Sequence, residues 1–107
     1  MLTKEDLKLG KKELVGYITV DAGLVQIGDP CYLSKDNGNP YENWSEFCAG
    51  LLKNEQNGVL NIDHANGSEG MAIAVNTAYG DGIFPVYVRR DKNGGITEMT
   101  VNFNPFK

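Results

Sequence analysis

Basic residues are outnumbered in this chain, histidine is nearly absent, and no apolar stretch is long. There are 10 lysines and arginines against 14 aspartates and glutamates, and the formal net charge is −4. Nucleic-acid binding starts from a basic patch that displaces phosphate counterions. The only adjacent basic pairs are Lys11-Lys12 and Arg89-Arg90, each beside an acidic residue, so nucleic acid is not an expected partner. No apolar run approaches the roughly 18 residues that a membrane-spanning helix needs, and no membrane partner is expected. The opening MLTKEDLKLGKK has no apolar centre of the signal-peptide kind, which points to a cytoplasmic protein. Only two cysteines are present, Cys31 and Cys48. In a chain that stays inside the cell they are expected as thiols, and their number and spacing give no zinc pattern. Calcium-loop spacing is missing, and NGSEG and GDG lack the phosphate-cradling arrangement followed by a helix. Neither a metal nor a cofactor is therefore expected.

What remains is a chain of 107 residues, enough for one core, and it reads as a single domain over residues 1–107. Residues 3 to 9 read as a short helix, with Thr3 as cap, Asp6 in the capping-box position and Leu2 packed on Leu7. Too short to be stable alone, the segment 1–10 either docks on the body or is a frayed tail. ELVGYITV and GLVQI are rich in β-branched and aromatic residues and read as strands. Between them Asp21-Ala22-Gly23 reads as a turn that joins the two in an antiparallel hairpin. Pro30 cannot donate to a ladder, so the second strand should stop near Gly28. SKDNGNP is a polar loop.

A helix is then expected over residues 40 to 53. Asn39 would be its N-cap, Pro40 its first residue and Glu42 its capping-box carboxylate, and Trp44, Phe47, Cys48, Leu51 and Leu52 would form its apolar stripe. VLNI (59–62) and GMAIAVNT (70–77) read as strands around an Asn66-Gly67 turn. IFPVYVRR (83–90) and ITEMTVNF (96–103) do the same around DKNGG. In the last of these Thr97, Met99, Val101 and Phe103 form the more apolar face, so that strand should be half buried. The fold class is α+β and mostly β: about six antiparallel strands in a small sandwich or partly closed barrel, with one main helix.

Chemistry has few places to sit. A catalytic thiol needs an activating neighbour and access to solvent. The single histidine is His64, so the one arrangement to weigh is Cys31 with His64 and Asp29, a small hydrolase or transferase. A cysteine between Pro30 and Tyr32 just after a strand reads more readily as small packing. Asp21, Asp29, Asp63 and Asp81 all fall at strand ends or turns, where aspartate caps backbone N–H groups. IGDPCY and YGDGIFPVY echo one another: each has a Gly-Asp corner with a proline and a tyrosine close behind. Two similar corners, adjacent across a sheet, are expected. Tyrosine couples a large apolar face to a polar tip, so a binding surface is expected around Asp29, Tyr32, Asp81 and Phe84.

VDAGLVQIGDPCYL and YGDGIFPVYV followed by GGITEMTVNF resemble a family of small bacterial and bacteriophage proteins grouped among domains of unknown function. Its marks are V-D-S/A-G with I-G-D-P-C-Y, then G-D-G-x-Y/F-P-V-Y. The matching positions are Val20, Asp21, Gly23 and Gly28 to Tyr32, then Gly80 to Gly82 and Pro85 to Tyr87. The resemblance implies a β-rich fold and a home on a phage or other mobile element, and it supplies no catalytic residues. The expected function is binding without chemistry: an inhibitor-type accessory factor whose partner is a host protein or a small ligand. The alternatives are the Cys31–His64 enzyme and a protein that sequesters a small ligand.

Overall fold

The computed structural model describes residues 10–78 and 80–104; the helix expected over residues 3 to 9 lies outside them. Among the described residues six antiparallel strands form two three-stranded sheets, with one α-helix, and the fold is α+β and mostly β. The chain divides into two compact units, Gly23–Thr77 and the described residues on either side of it. Each sheet belongs to one unit.

The flanking segments carry β1 (Glu13–Val20), β5 (Gly82–Arg90) and β6 (Ile96–Val101), in the order β1-β5-β6. Alternation explains the central strand: Phe84 and Val88 are buried while Ile83 is exposed, as a two-residue period requires. The Phe84 ring meets Phe103 edge-on, with centroids 5.5 Å apart. Proline is unusual in a central strand because it cannot donate. Pro85 is accommodated by position: its carbonyl accepts from the Asn102 N–H at 3.2 Å, one residue past the end of β6. A strand residue's N–H and C=O point to the same side, so the missing donor faces the side where the β6 ladder has already finished. The β5–β6 hairpin forms as expected, and Asp91 closes its loop by accepting from the N–H groups of Asn93 and Gly95 at 2.9 and 3.0 Å. Arg89 and Glu98 are cross-strand partners whose charged groups lie 3.5 Å apart. The apolar face of the last strand is only partly covered: Val101 is half buried, but Met99 is exposed.

The Gly23–Thr77 unit holds β2 (Leu24–Gly28), β4 (Ala72–Asn76) and β3 (Val59–Ile62), in the order β2-β4-β3. Leu60, Ile62, Met71, Ala72 and Ala74 are its buried cluster, and Tyr32, Tyr41, Phe47 and Leu51 pack on them. Small residues set the spacing at one end. A Cβ on Gly28 would stand 2.8 Å from the Ala72 Cβ and 3.1 Å from the Met71 carbonyl, so only glycine fits opposite Ala72.

One expectation is corrected here. β1 and β2 do not form a hairpin with each other: β1 pairs with β5, and β2 with β4. The Asp21–Gly23 turn exists, with Gly23 at φ 68°, but it passes the chain from one sheet to the other. The Gly23 carbonyl is taken by the Thr77 N–H at 2.9 Å, which extends the β2–β4 pairing into the turn. Both sheets are open, three strands each, so no partly closed barrel forms.

The helix, α1 (Trp44–Asn54), begins four residues later than the sequence suggests. Asn43 is the N-cap and accepts from the Glu46 N–H at 2.9 Å. Asn39 has other work: its Oδ1 accepts from the Tyr41 N–H at 2.8 Å, and its amide donates to the Tyr32 carbonyl at 2.9 Å. That turn delivers the Tyr41 ring to the core before the helix starts. The buried stripe is also narrower than expected. Phe47 and Leu51 pack inward and Cys48 is half buried. Trp44 is exposed and stacks on Phe47, and Leu52 is almost wholly exposed.

Candidate functional site

The IGDPCY corner is a capped 3₁₀ turn. β2 ends at Gly28, and Asp29 caps the turn Pro30–Tyr32 by accepting the Cys31 N–H at 2.9 Å. Proline suits the first position because the N–H it lacks would be unpaired there in any case. The Asp29 carboxylate is thus partly occupied by backbone, the role common for aspartate at such turns. Cys31 is exposed.

β3 leaves the same end of the sheet through Asp63 and His64, and β4 enters it through Glu69 to Met71. The loop between them is a tight hairpin: the His64 N–H donates to the Ser68 carbonyl and the Gly67 N–H to the His64 carbonyl, both at 2.8 Å. Three strand ends therefore surround one open cleft of about 840 Å³. Its lining includes Ile27 and Ile73, which are cross-strand partners. They are 55 % and 47 % exposed in the whole chain, so this apolar surface meets solvent. By the register they lie on the opposite sheet face from Leu60 and Ile62, where the helix packs. Asp29, Asp63 and Glu69, all exposed, line the cleft as well, together with Tyr32 and His64. The Tyr32 and His64 rings stand edge-on, 4.6 Å between centroids, and also line a smaller hollow of about 450 Å³ with Lys35, Asp36 and Asn66.

The residues singled out in the sequence divide as follows. Asp29, Tyr32 and His64 line the cleft; Cys31, between the first two, is not among its lining residues. Asp81 is exposed just before β5, in the other sheet and the other unit. The two Gly-Asp corners therefore belong to different sheets, which corrects the expectation that they adjoin across one. Phe84 is 5 % exposed; its ring belongs to the core with Phe103 and offers no surface. Ile27, Ile73 and Glu69 were missed. Among the described residues no group of three or more histidine, cysteine, aspartate or glutamate side chains is arranged to hold a metal ion.

An apolar lining set among carboxylates can hold a partner through burial of apolar area and select it by charge. No helix among the described residues is long and apolar enough to cross a membrane. Comparison with curated proteins and with solved structures finds no match. Residues 1–101 match the model of the family described as protein of unknown function (DUF4241), and the chain belongs to that family.

Proposed function

We propose that this chain is a binding protein without chemistry of its own, an inhibitor-type accessory factor that docks on a protein of its host cell. Encoding by a phage or other mobile element fits the motif resemblance described above. The observation that carries the reading is the cleft beside β2, β3 and β4. It combines solvent-facing Ile27 and Ile73 with Asp29, Asp63, Glu69, Tyr32 and His64. Aromatic and aliphatic anchors ringed by polar groups are the usual anatomy of a recognition surface. Asp29 and Tyr32 supply the part of that surface read from the sequence; Asp81, in the other unit, lies outside the proposed contact.

The test is capture of a partner from host lysate, followed by reconstitution with the purified partner and measurement of Kd. Ile27→Glu puts a charge on the apolar lining of the cleft and is expected to weaken binding about a hundredfold, in the range of a lost interface anchor. A partner that binds this variant as tightly as the wild type, with both proteins folded, would remove the cleft from the interface.

A further inference from the structure

Resting on the proposal that the cleft is a docking surface, we infer that its occupant is a protein segment in which basic and apolar residues alternate. The argument is charge complementarity beside an apolar lining. Asp29, Asp63 and Glu69 come from three different strand ends and line a cleft that two solvent-facing isoleucines also line. Among the described residues the ion pairs are Arg89–Glu98 and Arg90–Glu13, both in the other unit, so neither engages a carboxylate of the cleft. The asymmetry extends beyond the cleft. Gly23–Thr77 contains seven carboxylate side chains, two lysines and no arginine, so this unit carries more than the chain's whole negative charge. Such a field steers cationic partners and repels phosphate-bearing ones.

The isoleucines decide against a purely ionic ligand. Ile27 and Ile73 project from adjacent strands on one face, and apolar side chains set on them gain roughly 25 cal/mol per Å² buried. A bare cation leaves that surface wet. A segment that places lysine or arginine toward the carboxylates and an aliphatic side chain on the isoleucines satisfies both features at once.

The experiment uses the full chain and three labelled hexapeptides, read by fluorescence anisotropy: alternating lysine and leucine, alternating glutamate and leucine, and alternating lysine and glycine. The lysine–leucine peptide is expected to bind at low salt and to weaken about tenfold or more in about 1 M salt, where the screening length is about 3 Å. Asp63→Lys with Glu69→Lys should weaken it by a similar factor, and Asp21→Lys, which is not among the cleft's lining residues, should leave it unchanged. Equal binding of the glutamate–leucine peptide, or no effect of the double charge reversal, overturns the electrostatic half of the inference. Equal binding of the lysine–glycine peptide overturns the apolar half. If none of the peptides binds while the purified partner still loses affinity on Ile27→Glu, the docking surface stands and the basic–apolar occupant falls. If the lysine–leucine peptide binds as expected but the partner ignores Ile27→Glu, the proposed function fails instead.

Discussion

The Tyr32 ring meets the His64 imidazole edge-on, with centroids 4.6 Å apart and planes at 82°. This contact ties the capped turn after β2 to the loop after β3, and Tyr32 also packs on the buried cluster around Leu60 and Ile62. It is the structural element shared by the cleft and the hollow beside it.

Removing that ring should cost stability as well as shape. Tyr32→Ala is expected to destabilise the fold by about 2–3 kcal/mol, less than a fully buried aromatic because Tyr32 is half buried. Tyr32→Phe keeps the packing and should stay within about 0.5 kcal/mol of the wild type. Urea unfolding checks both; a loss below about 1 kcal/mol for Tyr32→Ala would show that the ring lies on the surface rather than in the packing.

Gly50 lies mid-helix, where alanine ordinarily stabilises by about 1 kcal/mol. Here a Cβ would stand 2.6 and 2.7 Å from Cε1 and Cζ of Tyr41, inside the contact distance of any carbon pair. Gly50→Ala should therefore destabilise, by about 1–3 kcal/mol, as overpacking does. In a Tyr41→Ala background the same change should become neutral or stabilising. A double-mutant cycle with no coupling between the two sites would contradict the contact.

The two asparagines before the helix also make separable predictions. Asn43→Ala removes the cap of the Glu46 N–H and should cost about 1 kcal/mol, with a loss of helical signal in circular dichroism. Asn39→Ala should cost a similar amount by releasing the Tyr41 N–H and the Tyr32 carbonyl, but with helicity retained. If Asn39→Ala is the one that reduces helicity, the helix starts where the sequence alone places it.

That difference shows what the sequence carries. Strand positions are legible because β-branched residues and alternation are local, as VLNI shows with Leu60 and Ile62 buried and Val59 and Asn61 exposed. Strand partners are not local. The Asp21–Gly23 turn looks like a hairpin loop, and only the Gly23–Thr77 bond reveals that β2 already belongs with β4. The helix start was ambiguous because Asn39-Pro40 and Asn43 both make good caps; the choice falls to Asn43 because Tyr41 must reach Gly50 first. Of the cleft's lining residues, Asp29 and Tyr32 are ones the sequence singles out for a binding surface. Ile27, Ile73 and Glu69 join them only when β4 lies between β2 and β3. Phe84 was drawn to the surface by its nearness to a Gly-Asp corner, although alternation with Val88 places it inside.

Cys31 is exposed and Cys48 half buried, so their alkylation should differ by access. Iodoacetamide at neutral pH is expected to label Cys31 first in the folded chain, with mass spectrometry locating the adduct, and both equally after denaturation. Cys31→Ser should leave stability and partner affinity unchanged. An activity lost with that substitution in a protein that stays folded would revive Cys31 and His64 as chemistry.

Charge reversal at two aspartates, one from each unit, locates the binding surface. Asp63 lines the cleft in the Gly23–Thr77 unit, and Asp81 is exposed at the start of β5 in the other. For a partner that carries positive charge, a carboxylate within the contact acts through direct pairing, whereas one outside it acts only on the approach and is screened by salt. Asp63→Arg is therefore expected to weaken the purified partner by about tenfold or more, at both low and moderate salt. Asp81→Arg should weaken it by about threefold or less, and mainly through the association rate at low salt. Surface plasmon resonance at two salt concentrations separates these outcomes. Should Asp81→Arg prove the more damaging, with a faster dissociation that salt does not mask, the interface lies on the sheet formed by β1, β5 and β6, and the Ile27–Ile73 surface is not what the partner covers.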